Sequence, residues 1–281
     1  MTAIVIGTRV YTRLYNRGYG TVYGIDGEQA PGSVGTIGGV VAFGGRATFD
    51  IVFDCGSYSK ALPECILRGA QWEVLGDIVD ARTIAAAIVY ADAEQARARS
   101  DADEAKAAYA AEVDRLRSDP RFATLLQGDD TSSGKLAAKN IRLQLRAAFP
   151  GIKFSVRNRD YGSIDISWSD GPTNAQVSAV TAAYQAGRFD GMEDIYQSAK
   201  TPWNVVFGGA KYVFTSRATS PALIERAIAT VFEQYAGNFA DSGIVATADD
   251  YRAGKLFAVT IPLLGDRLEA AVRSAASELV G

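Results

Sequence analysis

No glycine falls between Gly76 and Gly128 and no proline between Pro63 and Pro120; within those limits, Ile78 to Ser118 is mostly alanine, arginine, aspartate and glutamate. A run without helix breakers, built from strong helix formers, predicts one long helix or a helical hairpin. Its apolar residues come in two steps, Ile84 with Ile88 near the start and Tyr109, Val113 and Leu116 near the end, with mainly alanine between them. No sustained heptad joins the two steps, so a stable coiled coil is not expected; the segment reads as a solvated spacer first, with a partner-binding helix as the alternative. Residues 78–126 therefore divide the chain into a module before and a module after.

The preceding module, residues 1–77, is rich in β-branched residues, tyrosine and glycine. Candidate strands are Arg9 to Leu14, Gly20 to Asp26, Gly38 to Phe43, Ala47 to Asp54 and Gln71 to Leu75, separated by glycine-bearing turns. Tyr11, Tyr15, Tyr19 and Tyr23 recur every four residues, which in a strand places them on one face. Core packing explains them first; a partner-docking or base-stacking surface around Tyr15 and Tyr19 is the functional alternative. The run GSVGTIGGVVAFGGRA lacks the Gly-Lys-Ser/Thr ending of a phosphate-binding loop, and Gly18-Tyr19-Gly20 leads into a strand pattern. Neither context for nucleotide binding is met. The stretches GTRVYTRLYNRGYGTVYGI and FDIVFDCGSYSKALPECILRGAQWEVL resemble small SH3-like barrels, a shape class that hosts many functions.

Beyond the polar linker QGDDTSSGK, residues 127–135, the chain turns to an alternating helix and strand pattern over 136–236. A first helix places Ile141, Leu145 and Ala148 on one face and Lys139, Arg142 and Arg146 on the other. Phe149-Pro150-Gly151 ends it, and Thr131, Ser132 or Ser133 is the expected cap at its start. Ile152, Phe154 and Val156 alternate, as do Ile164, Ile166 and Trp168, predicting a hairpin turned across Asn158 to Gly162. Lys153, Ser155, Arg157 and Arg159 then line its outer side opposite Asp165 and Ser167. SDGPT starts another helix with Val177, Val180 and Tyr184 inward, and GRFDGMEDIY predicts a turn at Arg188-Phe189-Asp190-Gly191 with Asp190 capping a short helix. A strand at Lys211 to Ser216 and a helix from Pro221 to about Tyr235 follow. In the tail, residues 237–281, GKLFAVTIPLL reads as a strand from Gly254 to Leu264, and a helix from Asp266 to Leu279 starts with Asp266 as cap. The fold class is α+β: a small antiparallel β-barrel, a long helical linker and a C-terminal sandwich with a mainly antiparallel sheet.

The chain of 281 residues contains no histidine. That removes the ordinary Ser-His-Asp and Cys-His nucleophiles and every histidine metal ligand. An enzyme built on Asp160, Asp165 and Asp170 lacks a paired nucleophile or metal partner, so no catalytic residue, metal or cofactor is assigned and a non-enzymatic protein is expected. Cys55 and Cys65 read as free thiols. Apolar runs such as Ala85 to Ala91 are too short to span a bilayer, and MTAIVIGTRVY lacks the basic start of a signal peptide, which points to the cytoplasm. The net charge is −3, yet Leu136 to Ala236 carries about three more basic than acidic residues. That excess is modest for a dedicated duplex binder.

KNIRLQLRAAFPGIKFSVRNRDYGSIDISWSDGPT, AAYQAGRFDGMEDIY and FGGAKYVFTSRATSP together resemble the large polyvalent protein associated domain of type 29, over about residues 136–234. The resemblance implies a phage, plasmid or other mobile-element protein acting in the bacterial host, with no catalytic residues to carry over. Proteins from that setting counter host defences, in the anti-CRISPR or anti-restriction manner, or manage element DNA. The implied partner is a host defence protein or ribonucleoprotein; the alternative is direct binding of DNA or RNA as an accessory protein. Lys139, Arg142, Arg146, Lys153, Arg157 and Arg159 are the candidate contacts for either, provided the helix and the hairpin edge adjoin; a solvated charged face is the equal alternative.

Overall fold

A computed structural model describes residues 3–38, 41–190, 195–197 and 199–281. The chain divides into two compact units, Met1–Ala107 and Ala108–Gly281.

In the first unit, β1 (Thr8–Thr12), β2 (Gly18–Asp26), β5 (Thr48–Phe53), β6 (Tyr58–Pro63) and β7 (Trp72–Ile78) form one antiparallel sheet in the order β6-β5-β2-β1-β7. A two-stranded ribbon, β3 (Gly35–Ile37) with β4 (Val41–Phe43), interrupts the link from β2 to β5. The period-two pattern of β1 buries Thr8, Val10 and Thr12. Register shifts between β1 and β7, β2 and β5, and β5 and β6 bend and twist the sheet around a core of Val10, Val22, Phe49, Ile51, Phe53 and Leu67. Sequence reasoning missed β6, whose Lys60 and Pro63 suit the edge position it takes. Its core packing of the tyrosines also needs correcting: Tyr15 is 85% exposed in a turn at φ 54° and Tyr19 is 52% exposed.

The helix α1 (Glu64–Leu67) brings a carboxylate inside: Glu64 accepts from the amides of Ala30 and Arg46 and pairs with Arg68 at 3.2 Å. Burial pushes this carboxyl up, but those donors outweigh it and hold it below its ordinary value.

The long breaker-free run forms a single helix, α2 (Ala81–Ser118), of 38 residues. Residues 81–107 belong to the first unit and 108–118 to the second. Ile84 and Ala91 are buried in its first half and Val113 and Leu116 near its end, while every residue from 96 to 111 is exposed.

In the second unit, α3 (Lys135–Ala148), β8 (Ser155–Asn158), β9 (Ser163–Ser169), α4 (Asn174–Thr181), α5 (Pro202–Phe207) and β12 (Tyr212–Ala218) share one core. Ile141 and Leu145 of α3 pack with Val156, Ile164, Ile166 and Trp168, whereas Ala148 is exposed. The sheet order is β12-β9-β8, with β8 antiparallel and β12 parallel to β9. The sheet is thus mixed: the chain from Ser169 to Tyr212 is long enough to cross over and return in the same direction. Thr173 and Gln176 form a capping box at α4. Between α4 and α5 runs a ribbon of β10 (Arg188–Asp190) with β11 (Ile195–Gln197). Ile195 to Gln197 is therefore strand where a short helix was expected; Gly191 and Met192 of that segment lie outside the described residues.

The tail departs most from expectation. With α6 (Pro221–Gln234), the helices α7 (Ala236–Phe239), α8 (Ala248–Arg252) and α9 (Leu268–Glu278) enclose a core of their own, in which Ile224, Ile228 and Val231 meet Leu268 and Val272. Gly254 to Leu264 is no strand: Lys255–Ala258 is a 3-10 turn, and Thr260 makes one bridge to Arg267. Pro262, Leu263 at φ 67° and Gly265 at φ 79° turn the chain back before a ladder can grow. Asp266 does not cap α9; Arg267 holds the cap position without a side-chain bond.

Candidate functional site

What positions the basic residues is the seating of α3. Its cap position is Gly134 at φ 80°, not a hydroxyl residue. Asp130 organises the turn instead, its carboxylate accepting from the amides of Ser133 and Leu136 and from the Ser133 hydroxyl at 2.8, 3.0 and 2.6 Å. Burial raises this carboxyl, and these bonds more than offset it, holding it below the usual carboxylate range. Further along, fully buried Asn140 accepts from the Leu126 amide and donates to the carbonyls of Leu126 and Phe207. Sequence reasoning overlooked both residues; an Asp ahead of the helix and an Asn on its apolar face were the available signals.

All six candidate cations are exposed. The helix and the hairpin edge adjoin: α3 packs on β8, and the Arg142 guanidinium donates to the Val156 carbonyl on this edge strand. Arg142, Arg146 and Lys153 line one concavity of 420 Å³ with Gly151, Ile152 and Phe154. Arg157 and Arg159 line a second, of 680 Å³, on the outer face of the sheet. Lys139 lines neither. Of the three carboxylates considered for catalysis, only Asp165 borders the second concavity, held by Arg159 at 2.8 Å; Asp170 accepts from the Ser220 amide. Ser155 stands opposite Ser167 and Arg157 opposite Asp165, as the alternation predicts.

In the first unit, Tyr11 and Tyr19 lie with ring centroids 4.8 Å apart, Arg9 sits 5.8 Å over Tyr19 and Arg17 lies 5.7 Å from Tyr15. Tyr15 and Tyr19 thus form part of an exposed aromatic and cationic patch. Cys55 and Cys65 are free thiols, and no helix among the described residues is long and apolar enough to cross a membrane.

Two family models of large polyvalent protein associated domains match successive parts of the chain, and such domains fit a mobile-element-associated protein. Residues 132–220 match the model of large polyvalent protein associated domain 29, and residues 1–120 match that of large polyvalent protein associated domain 30. The type 29 match agrees with the resemblance carried by the central segments and ends where α6 begins; the type 30 match takes in all of α2, which the sequence reading had set apart as a spacer. No curated protein and no solved structure matches the chain.

Proposed function

We propose that this chain is a non-enzymatic binding protein of a phage or plasmid, and that its type 29 domain docks an anionic partner through the basic face of α3 and β8. One observation carries the reading: cations from the helix and from the chain entering β8 converge on a single concavity, where mutual repulsion opposes them unless an anion is bound. In the bacterial host such a partner is a defence complex, protein or ribonucleoprotein, whose inhibition is the anti-CRISPR or anti-restriction form of the reading. The first unit supports a binding role of its own. Its order β6-β5-β2-β1-β7, a four-strand meander with the last strand returning beside the first, fits a small SH3-like barrel presenting Tyr15 and Tyr19.

The test uses Arg146→Glu with Lys153→Glu, leaving Arg142 in place because it also holds Val156. Wild-type protein is expected to retain a stoichiometric host partner that the double variant loses at unchanged melting temperature. Equal retention would place recognition elsewhere.

A further inference from the structure

The outer face of the sheet β12-β9-β8 is laid out in two rows. Ser155, Ser167 and Ser216 face one another across the strands in one, and Arg157, Asp165 and Phe214 in the other. All six border the 680 Å³ concavity. Phe214 is 50% exposed and stacks on Tyr212 of the same strand, with centroids 5.7 Å apart and planes inclined by 21°. The Lys211 ammonium lies 5.2 Å from the Tyr212 centroid. Residues two apart on a strand share a face, so both rings belong to this open side and not to the core beneath. A row of small hydroxyl residues beside the rings leaves room for a planar group to lie flat and offers its edge hydrogen-bond partners.

We propose that this face binds single-stranded nucleic acid, its bases stacked on Phe214 and its phosphates drawn to Arg157 and Arg159, which line the same concavity. The proposal rests on reading the basic face as an anion-docking surface, and it names the anion. Each element of the face has a use in that complex. Exposed rings stack any base, and the cations track a backbone. Asp165, paired with Arg159 at 2.8 Å, holds that guanidinium at the β8 side of the face, where the backbone runs. A duplex keeps its bases stacked on one another and cannot use the rings. An acidic protein would use the cations but make no particular use of the exposed Phe214 ring and the serine row beside it.

Fluorescence anisotropy of the full chain with labelled oligo-dT and oligo-U of about twelve nucleotides, and with a duplex of equal length, tests this. Single strands are expected to bind with a negative salt slope, and the duplex more weakly. Phe214→Ala should weaken single-strand binding about tenfold without changing the salt slope, and Phe214→Tyr should restore it. Arg157→Glu should weaken binding and flatten the slope. No single-strand binding at about 100 µM protein in low salt, a duplex bound as tightly as the single strand, or an unaffected Phe214→Ala variant would each overturn the proposal. The two readings fail separately. Loss of a host partner in the Arg146→Glu, Lys153→Glu variant alongside an inert Phe214→Ala leaves the docking face standing and removes the nucleic acid. Phe214-dependent oligonucleotide binding with no host partner affected by the double variant does the reverse.

Discussion

Arg217 on β12 donates from Nη2 to the carbonyl of Leu279 at 2.8 Å, tying a sheet strand to the residue that ends α9, 62 positions later. The same guanidinium donates to the carbonyls of Asp170, Gly171 and Ala276. One planar cation thus neutralises the carbonyl end of a helix and joins the sheet core to the helical core. Arg217→Ala is expected to cost about 3 kcal/mol, read as a lower urea midpoint, because it leaves several carbonyls without donors. Arg217→Lys should recover little, since a point ammonium cannot reach four separated oxygens.

Glu64 makes the first unit acid-sensitive. Its carboxyl is held below its ordinary value despite burial, so the ionised form favours the fold. That contribution is present above the ordinary glutamate value of about 4.3 and is lost as pH falls through the lower folded value. Glu64→Gln should therefore destabilise by about 2 kcal/mol at neutral pH, with the gap from wild type closing in acid. A gap that stays constant down to strongly acidic pH in denaturant titrations would contradict this.

Tyr58 anchors the start of α2 to the sheet of the first unit, its hydroxyl bonded to the Asp92 carboxylate at 2.8 Å and the Ile88 carbonyl at 3.0 Å. Burial, then the bond to Asp92, pushes the phenol up to about 12. The stabilisation is fully present below the ordinary tyrosine value of about 10 and disappears as pH rises through about 12. Ultraviolet phenolate titration of wild type against Tyr58→Phe should show the missing group ionising in that late range, and the variant should lose about 1 kcal/mol at neutral pH.

Asn140 sets the seat of α3. Asn140→Leu removes three hydrogen bonds from a fully buried position and leaves the Leu126 amide and the Phe207 carbonyl without this partner. A loss of about 3 kcal/mol is expected by thermal or urea unfolding. An unchanged midpoint would show that the loop at Leu126 re-forms its bonds elsewhere.

Much of the architecture was legible because it depends on short-range pattern. The breaker-free alanine run had one local solution, α2, and the alternation in Val156 and in Ile164, Ile166 and Trp168 assigned inner and outer faces that the register of β8 and β9 reproduces. The tail misled for the same reason. LFAVTIPLL is apolar enough for a strand, but Leu256 and Ile261 are buried among helices, and the competing partner, α6, lies well upstream. The type 30 domain left no motif that was recognised, only a strand-rich composition.

For the candidate site, residue chemistry and face came from the sequence by itself: it determined that Lys139, Arg142 and Arg146 share one helix side, that Arg157 and Arg159 lie outside the hairpin, and that no histidine is available. Only the tertiary structure decided which of them meet. Seating α3 by Asp130 and Asn140 brings Arg142 and Arg146 to Lys153, while the parallel entry of β12 sets Phe214 beside Asp165, in one row with Arg157 across the sheet. The physical reason is that helical and strand periods fix which way a side chain points along its own element, whereas juxtaposition across elements depends on long-range packing and strand direction, which no local period encodes.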